Sequence, residues 1–263
     1  MEGNVLQILF VAIFFGTAVN SLGDKVTDFK KLLGNMNDIF FKMMSLLMFF
    51  MPPIVFFAMM NLALSTAAET VMLISKLIVG ELIAAALVVV FCLIFVRHVG
   101  KMSPKPFLKK VPELMPKAFA TASSGAVMPD MMNLCTVKLG IAPKISSFAV
   151  PLSVTFNTTG SLICIITASV MFLRMYNVKL DLYDFVLIAF LAMMFSFGAP
   201  DFISVTTIVG LFGVPIEIAT LIFCIDALSD RLGTCVNVLS NMTVTVTLAR
   251  TENLFDEKIY FGS

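Results

Sequence analysis

Between Ile216 and Leu248 the chain carries an apolar run long enough to cross a bilayer that nevertheless contains Asp226, Asp230, Arg231, Thr234, Asn237 and Asn241. Near the bilayer centre a charged side chain costs about 2.5–3.5 kcal/mol on insertion scales, so two aspartates and an arginine facing lipid would together cost on the order of 8 kcal/mol. They must face protein or water. On a helix, positions 230, 234, 237 and 241 follow i, i+4, i+7, i+11 and share one face, with Asp226 one turn earlier. A polar stripe inside a hydrophobic span marks a binding site.

The rest of the chain agrees with a membrane setting. Its 263 residues are 59% hydrophobic and 13% charged, against about 25% charged in a soluble domain. The mean hydropathy is +0.99. A net charge of +1, with basic residues at the ends of apolar segments, gives no support to a nucleic-acid partner. The cysteines at 92, 135, 164, 224 and 235 lack metal-ligand spacing and lie mostly in apolar segments, so no disulfide framework is expected. Met1-Glu2-Gly3 has no basic n-region or cleavage site before the first apolar run, which argues against a signal peptide.

Val5–Leu22, Ile39–Leu64 and Val71–Val96 read as three spans near the required length of roughly 20 apolar residues. The charged stretch Asp24–Lys31 links the first two, and Pro52-Pro53 is expected to kink the second. Lys25, Lys30, Lys31 and Lys42 lie between or near these two spans, whereas Ser65–Thr70 has one acid and no base. Arg97, Lys101, Lys105, Lys109, Lys110 and Lys117 follow the third span. By the positive-inside rule both basic regions are cytoplasmic and the short link is outside.

Beyond Lys117 the pattern changes. Ala118–Gly140, with Thr121-Ala-Ser-Ser-Gly-Ala-Val-Met-Pro129, is too polar and broken for an ordinary span and fits a re-entrant hairpin buried in protein. Ile145–Phe172 is long enough to cross but is interrupted at Asn157-Thr-Thr-Gly-Ser161. Phe185–Phe197 and Phe202–Phe212 are short apolar arms around Gly198-Ala-Pro-Asp201. A broken, hairpin-like segment followed by a polar-interrupted helix thus occurs twice, at 106–172 and 184–249. Paired interrupted segments point to a transporter binding site.

Four motifs in this order resemble the dicarboxylate/amino acid:cation symporter family, which includes the glutamate transporters. They are Ser123-Ser124 with Pro129, Pro151–Ser161 (PLSVTFNTTGS), Ser196-Phe-Gly-Ala-Pro200 through Gly213-Val-Pro215, and Asp226–Val238. The resemblance covers about half the chain. It implies an all-α integral membrane fold with two re-entrant hairpins and an elevator-type core. Residues 1–100 would hold partial scaffold and the first core helices, and 101–263 the transport core. Within that core lie a hairpin at 106–140, an unwound helix at 145–176, a second hairpin at 184–212 and the polar last helix at 216–249.

The implied substrate-binding residues are Ser123, Ser124, Asp230, Gly233, Thr234 and Asn237, with Asp230 taking an ammonium and Asn237 with the Ser124 backbone a carboxylate. The implied cation-binding residues are Ser153, Thr155, Asn157, Thr158, Asn237 and Asn241, as Na+ positions, with Na+ or H+ as coupling ion and no cofactor. The resemblance further implies a plasma-membrane, multi-pass protein, a homotrimer, and no enzymatic activity.

Several departures from the family shape these expectations. Gly233 stands where acidic-substrate members carry a side-chain-clamping arginine, and Arg231, rotated about 200° around the helix, does not replace it. A neutral amino acid is therefore expected over glutamate or aspartate. Thr159 and Asn241 replace two cation-binding aspartates, which removes charge that would repay ion dehydration, so sodium sites should be weaker or fewer. The match begins near the family's fourth helix, which leaves a non-transporting remnant or one part of a split transporter as the competing reading. An intramembrane aspartyl protease is disfavoured because Asp226 and Asp230 share one helix. His98, among bases at a helix end, receives no proton-relay role.

Overall fold

A computed structural model describes residues 5–49, 57, 60, 68–197, 199–215 and 219–262. Its regular elements are helices, α and short 3-10, with one isolated antiparallel bridge between Ile141 and Phe255. The chain divides into a unit of residues 1–65 and a unit of residues 66–263.

In the first unit, α1 (Val5–Ser21) and α2 (Thr27–Phe49) flank the 3-10 turn Gly23–Val26. Phe15 and Phe29 meet edge to face at 6.0 Å between ring centres. The expected charged link from Asp24 to Lys31 is corrected here, because α2 already begins at Thr27. Lysines are good helix formers and Asp28 in the first turn suits the helix dipole, so charge does not stop the helix. Pro52-Pro53 and the first half of the Ser65–Thr70 link lie outside the described residues.

The second unit is organised around one helix. In chain order its elements are α3 (Ala68–His98), α4 (Lys105–Lys110), α5 (Met115–Thr121), α6 (Ser124–Val137), α7 (Pro143–Phe156) and α8 (Thr159–Met175). Then follow α9 (Leu182–Phe195), α10 (Asp201–Leu211), α11 (Ala219–Thr251) and the short α12 (Glu257–Phe261). Helix α11 packs against α3, α5, α6, α7, α8 and α10. Among the described residues, Ile74–His98, Pro143–Met175 and Leu228–Thr251 are long and apolar enough to cross a membrane. The last is 72% buried inside the protein and the first only 17%, so α11 is the central helix and α3 a peripheral one. On α3 one face, Leu77, Glu81, Cys92 and Val96, is buried, while Ile83, Leu87, Phe91 and Ile94 on the opposite face are exposed, as suits lipid contact.

Side-chain contacts fix the helix directions. Glu81 meets Ser229, and the hydroxyl of Tyr260, beyond the end of α11, donates to the Ser103 carbonyl, beyond the end of α3, so these two helices run parallel. Helix α6 ends at the same extremity, where Lys110 Nζ donates to the carbonyl of Lys138 at 2.9 Å. Since Lys110 precedes α5, the α5/α6 pair leaves from and returns to one end. A left-handed residue, Ala122 (φ 46°, ψ 37°), turns the chain between the two helices, and the Ser123 hydroxyl caps α6 by accepting from the Ala126 N–H.

The basic end is closed by the C-terminal segment. Besides Lys138, the Lys110 ammonium donates to the carbonyls of Ile259, Tyr260 and Gly262 at 2.8–3.0 Å. Desolvation, followed by the charges of Lys109 and Lys138, pushes this ammonium below the ordinary lysine range, while the carbonyl dipoles oppose that push. Tyr260 is fully buried, and its burial pushes the phenol up to about 12. Gly140 sits at φ +70°, and a Cβ there would lie 2.4 Å from the Asp256 carbonyl oxygen, so this close crossing requires glycine.

Candidate functional site

The interrupted helix breaks at two residues, not five. Asn157 is extended (φ −93°, ψ 102°), Thr158 leaves the helical region, and Thr159, Gly160 and Ser161 already belong to α8. Proline at 151 does not cause this break, since α7 continues through it to Phe156. What holds the two unwound residues is their hydrogen bonding to the polar face of α11.

Asn157 Nδ2 donates to Ser240 Oγ at 2.6 Å and to Asn241 Oδ1 at 2.8 Å, and Asn157 Oδ1 accepts from the Thr159 hydroxyl at 2.5 Å. In the first turn of α8, the Gly160 N–H donates to Asn237 Oδ1 at 2.7 Å. This N–H is one of the orphan donors at a helix start, and a side chain of another helix satisfies it. The adjacent Thr158 hydroxyl donates to Ser196 Oγ at 2.9 Å, which brings the end of α9 to the same point.

The approach of α8 to α11 rests on two glycines. A Cβ on Gly160 would lie 1.9 Å from the Gly233 carbonyl oxygen, and one on Gly233 would lie 3.2 Å from Cys164 Sγ and from the Gly160 carbonyl carbon. Small residues at a helix crossing let backbones touch, as in membrane bundles generally. Beyond this crossing the Ser161 side chain hydrogen-bonds Asp201, and Asp226 accepts from the backbone N–H of Phe202 in the first turn of α10. The positive end of the α10 dipole faces this carboxyl group. The α9/α10 turn therefore meets α8 and α11 at mid-height.

The first helical pair reaches this level from the opposite side. Cys135 Sγ contacts Met242 Sδ at 3.9 Å. Ser124, at the start of α6, lies eleven residues before Cys135, about 16 Å away along the helix axis.

The residues expected from sequence divide into groups. Asn157, Thr158, Asn237 and Asn241 are brought together by the contacts above, and Thr234 (4% exposed) and Asn241 (fully buried) face the protein. Asp230 is partly buried, with the charge of Arg231 close by. Gly233 is buried in the α8 crossing. The hydroxyl of Ser123 is engaged within its own turn, and Thr155 is exposed with its hydroxyl donating to the Pro151 carbonyl. Ser153 contributes a backbone carbonyl to the Asn157 N–H.

The oxygens of Asn157, Asn237 and Asn241 expected to hold a cation accept protein donors in this arrangement. Among the described residues no group of three or more His, Cys, Asp and Glu is arranged to hold a metal ion. Sequence reasoning passed over Ser240, named Gly160 and Ser196 only within motifs and gave them no site role, and read Asp201, an acid inside an apolar region, as turn chemistry.

Residues 1–251 match the profile of the Sodium:dicarboxylate symporter family. The chain is 28% identical to C4-dicarboxylate transport protein 1 of Pseudomonas aeruginosa (strain UCBPP-PA14), over 97% of this chain and 58% of that protein. It is 24% identical to the C4-dicarboxylate transport protein of Bacillus subtilis (strain 168), over 97% of this chain and 62% of the other. With the Proton/sodium-glutamate symport protein of Geobacillus stearothermophilus the identity is 25%, over 98% and 62%. The chain thus spans about three fifths of the length of these relatives.

Proposed function

Because the chain belongs to the sodium:dicarboxylate symporter family, we propose that it is a secondary transporter of an amino acid or related small carboxylate, coupled to a cation gradient, with neutral amino acids favoured over glutamate and aspartate. The family is one of plasma-membrane symporters, and the chain is a multi-pass membrane protein and not an enzyme.

In this reading, α5/α6 and α9/α10 are re-entrant hairpins that approach the last helix from opposite sides of the membrane. The transport core, residues 101–263, moves as an elevator against a scaffold, in a homotrimer. Asp230 binds the substrate ammonium, Thr234 lines the pocket, and the Ser123-Ser124 turn with the Asn237 amide N–H groups takes the carboxylate. The observation that carries the reading is the meeting of a broken helix, a hairpin turn and the polar face of α11 through Asn157, Ser196, Asn237 and Asn241. Unwound backbone and half-helix ends are sheltered there from lipid, which is where transporters build solute sites.

Neutral selectivity follows from Gly233. A side chain at this position would press on Cys164 and Gly160, so in this packing it offers no clamp for a second substrate carboxylate. An amino-acid pocket without that clamp leaves a second buried carboxylate unpaired, which is costly. Cation coupling would be weak at the Asn157–Asn241 position, whose oxygens are engaged by protein donors.

Uptake by the purified chain in liposomes tests the reading, with serine, alanine, aspartate and succinate compared under separate sodium and proton gradients. Gradient-driven accumulation of serine or alanine above the diacids is expected. Preferential aspartate or succinate uptake overturns the inference from Gly233, and no uptake of any of the four overturns transport by this chain.

A further inference from the structure

Among the described residues Glu81 is the one carboxyl group on the buried face of α3, which also carries the Cys92 thiol, and it is 2% exposed. It points at α11, where the Ser229 hydroxyl, itself 4% exposed, lies 2.8 Å from one carboxylate oxygen and 2.9 Å from the other. A hydroxyl carries a single proton and donates it to one oxygen. The second short contact is satisfied when that other oxygen carries a proton and donates it back to Ser229, which makes a reciprocal pair between an acid and an alcohol.

No ion pair among the described residues includes Glu81. Among the described residues the ion pairs are Lys117–Asp130, Lys138–Glu113 and Arg250–Glu257. The groups that face Glu81 are Cys164 from α8, Asp201 from α10, and Asp226 and, further off, Asp230 from α11, with Arg231 beside Asp230. Lys76, on α3 itself, is exposed on another face. Glu81, Asp201, Asp226, Ser229 and Cys164 border a cavity of about 10 Å³, room for about one water molecule. An ionised Glu81 would be a buried charge among other acids, whereas a protonated Glu81 is fully hydrogen-bonded.

We propose that Glu81 is a proton-carrying site of this transporter: it holds a proton against Ser229 in the arrangement described here and exchanges it with water when the α3–α11 contact is hydrated. The O–H bond of the carboxylic acid breaks, water accepts the proton on one side of the membrane, and the carboxylate regains a proton from water on the other. Neither sodium nor a redox partner takes part. The coupling role rests on the transporter reading above; the protonation state does not.

The test combines infrared difference spectroscopy and transport on the full chain in lipid. Near neutral pH the wild type is expected to show the carbonyl-stretch band of a buried carboxylic acid, lost in Glu81→Gln and shifted in Ser229→Ala. Glu81→Gln, which keeps the shape of the protonated acid, is expected to retain substrate counterflow and to lose accumulation driven by a proton gradient, down to the level without a gradient. A Glu81→Gln spectrum that loses no carbonyl-stretch component relative to the wild type, or proton-driven accumulation unchanged in that variant, overturns the proposal. So does a band absent in sodium medium and present in choline medium, which would make Glu81 a sodium ligand. If the wild type transports nothing, the transporter reading fails while the band still decides the protonation of Glu81.

Discussion

Replacing Gly160 with alanine isolates the contact on which the α8–α11 crossing depends. The new Cβ would lie 1.9 Å from the Gly233 carbonyl oxygen and 2.6 Å from its Cα, both backbone atoms that cannot rotate away. Restoring ordinary contact at about 3.4 Å requires the two helices to part locally by about 1.5 Å, a shift that close-packed interiors resist. The Gly160 N–H to Asn237 Oδ1 bond, now 2.7 Å, would stretch past hydrogen-bonding reach. Overpacking costs about 1–3 kcal/mol. A buried donor and acceptor left unpaired cost a further 1–3 kcal/mol or so. The better helix propensity of alanine returns up to about 1 kcal/mol, which leaves a net loss of roughly 1–5 kcal/mol. For a chain of this size that lowers the midpoint of thermal unfolding by about 2–20 °C. The assay is unfolding in detergent followed with a thiol-reactive fluorophore, since Cys92, Cys135 and Cys164 are free and buried until the fold opens. Gly233→Ala is the internal control: its Cβ meets Cys164 Sγ and the Gly160 carbonyl carbon at 3.2 Å, contacts that a shift of a few tenths of an ångström relieves, so a smaller loss of about 1 kcal/mol is expected. A Gly160→Ala protein that melts with the wild type, or a Gly233→Ala protein that loses as much, refutes the crossing as described.

Introducing aspartate at both Thr159 and Asn241 returns charge to a network that now pairs neutral groups. The double variant should be less stable in choline medium and gain about 3 kcal/mol from sodium at a hundredfold excess over its dissociation constant, while the wild-type melting temperature changes little between the two salts; a sodium-insensitive double variant counts against the proposed position. Tyr260 predicts an alkaline limit for the C-terminal segment. Its folded value of about 12 lies above the ordinary tyrosine value near 10, so the protonated form is favoured by folding. That stability, about 2–3 kcal/mol, is complete below pH 10 and lost as pH rises towards 12. Carboxypeptidase sensitivity should rise over that interval in the wild type, and be reached at lower pH if burial does not perturb the phenol. Lys110→Met removes the ammonium that four carbonyls share and should weaken attachment of residues 256–262 by about 1.5–3 kcal/mol, read as faster C-terminal proteolysis at neutral pH with the helical content intact.

Much of this fold was legible in the chain because a bilayer leaves few choices. The apolar runs expected at 71–96 and 145–172 correspond to Ala68–His98 and to Pro143–Met175, the latter broken at Asn157-Thr158, and the stripe on the last helix turned inward as its insertion cost demands. The α2 start was misread, since a charged run between two apolar segments looks like a loop whether or not it is helical. Asn157, Thr158, Asn237 and Asn241 could be named from motif and face. Their partners were not legible, because Ser240, Ser196 and Gly160 are ordinary residues until another helix lies against them.

Gly233 shows where the division falls. Its identity in the chain already excludes a charged clamp, since no side chain is present to reach a substrate. Only the tertiary structure shows what fills the place, a backbone crossing with Gly160 tight enough that a single methyl at 160 collides with Gly233. Glu81 shows the same division from the other side. The sequence placed an acid in a span and thereby required shelter from lipid. Which group provides it, Ser229 some 150 positions away, depended on two parallel helices arriving in register, and local pattern carries no information about such a pairing.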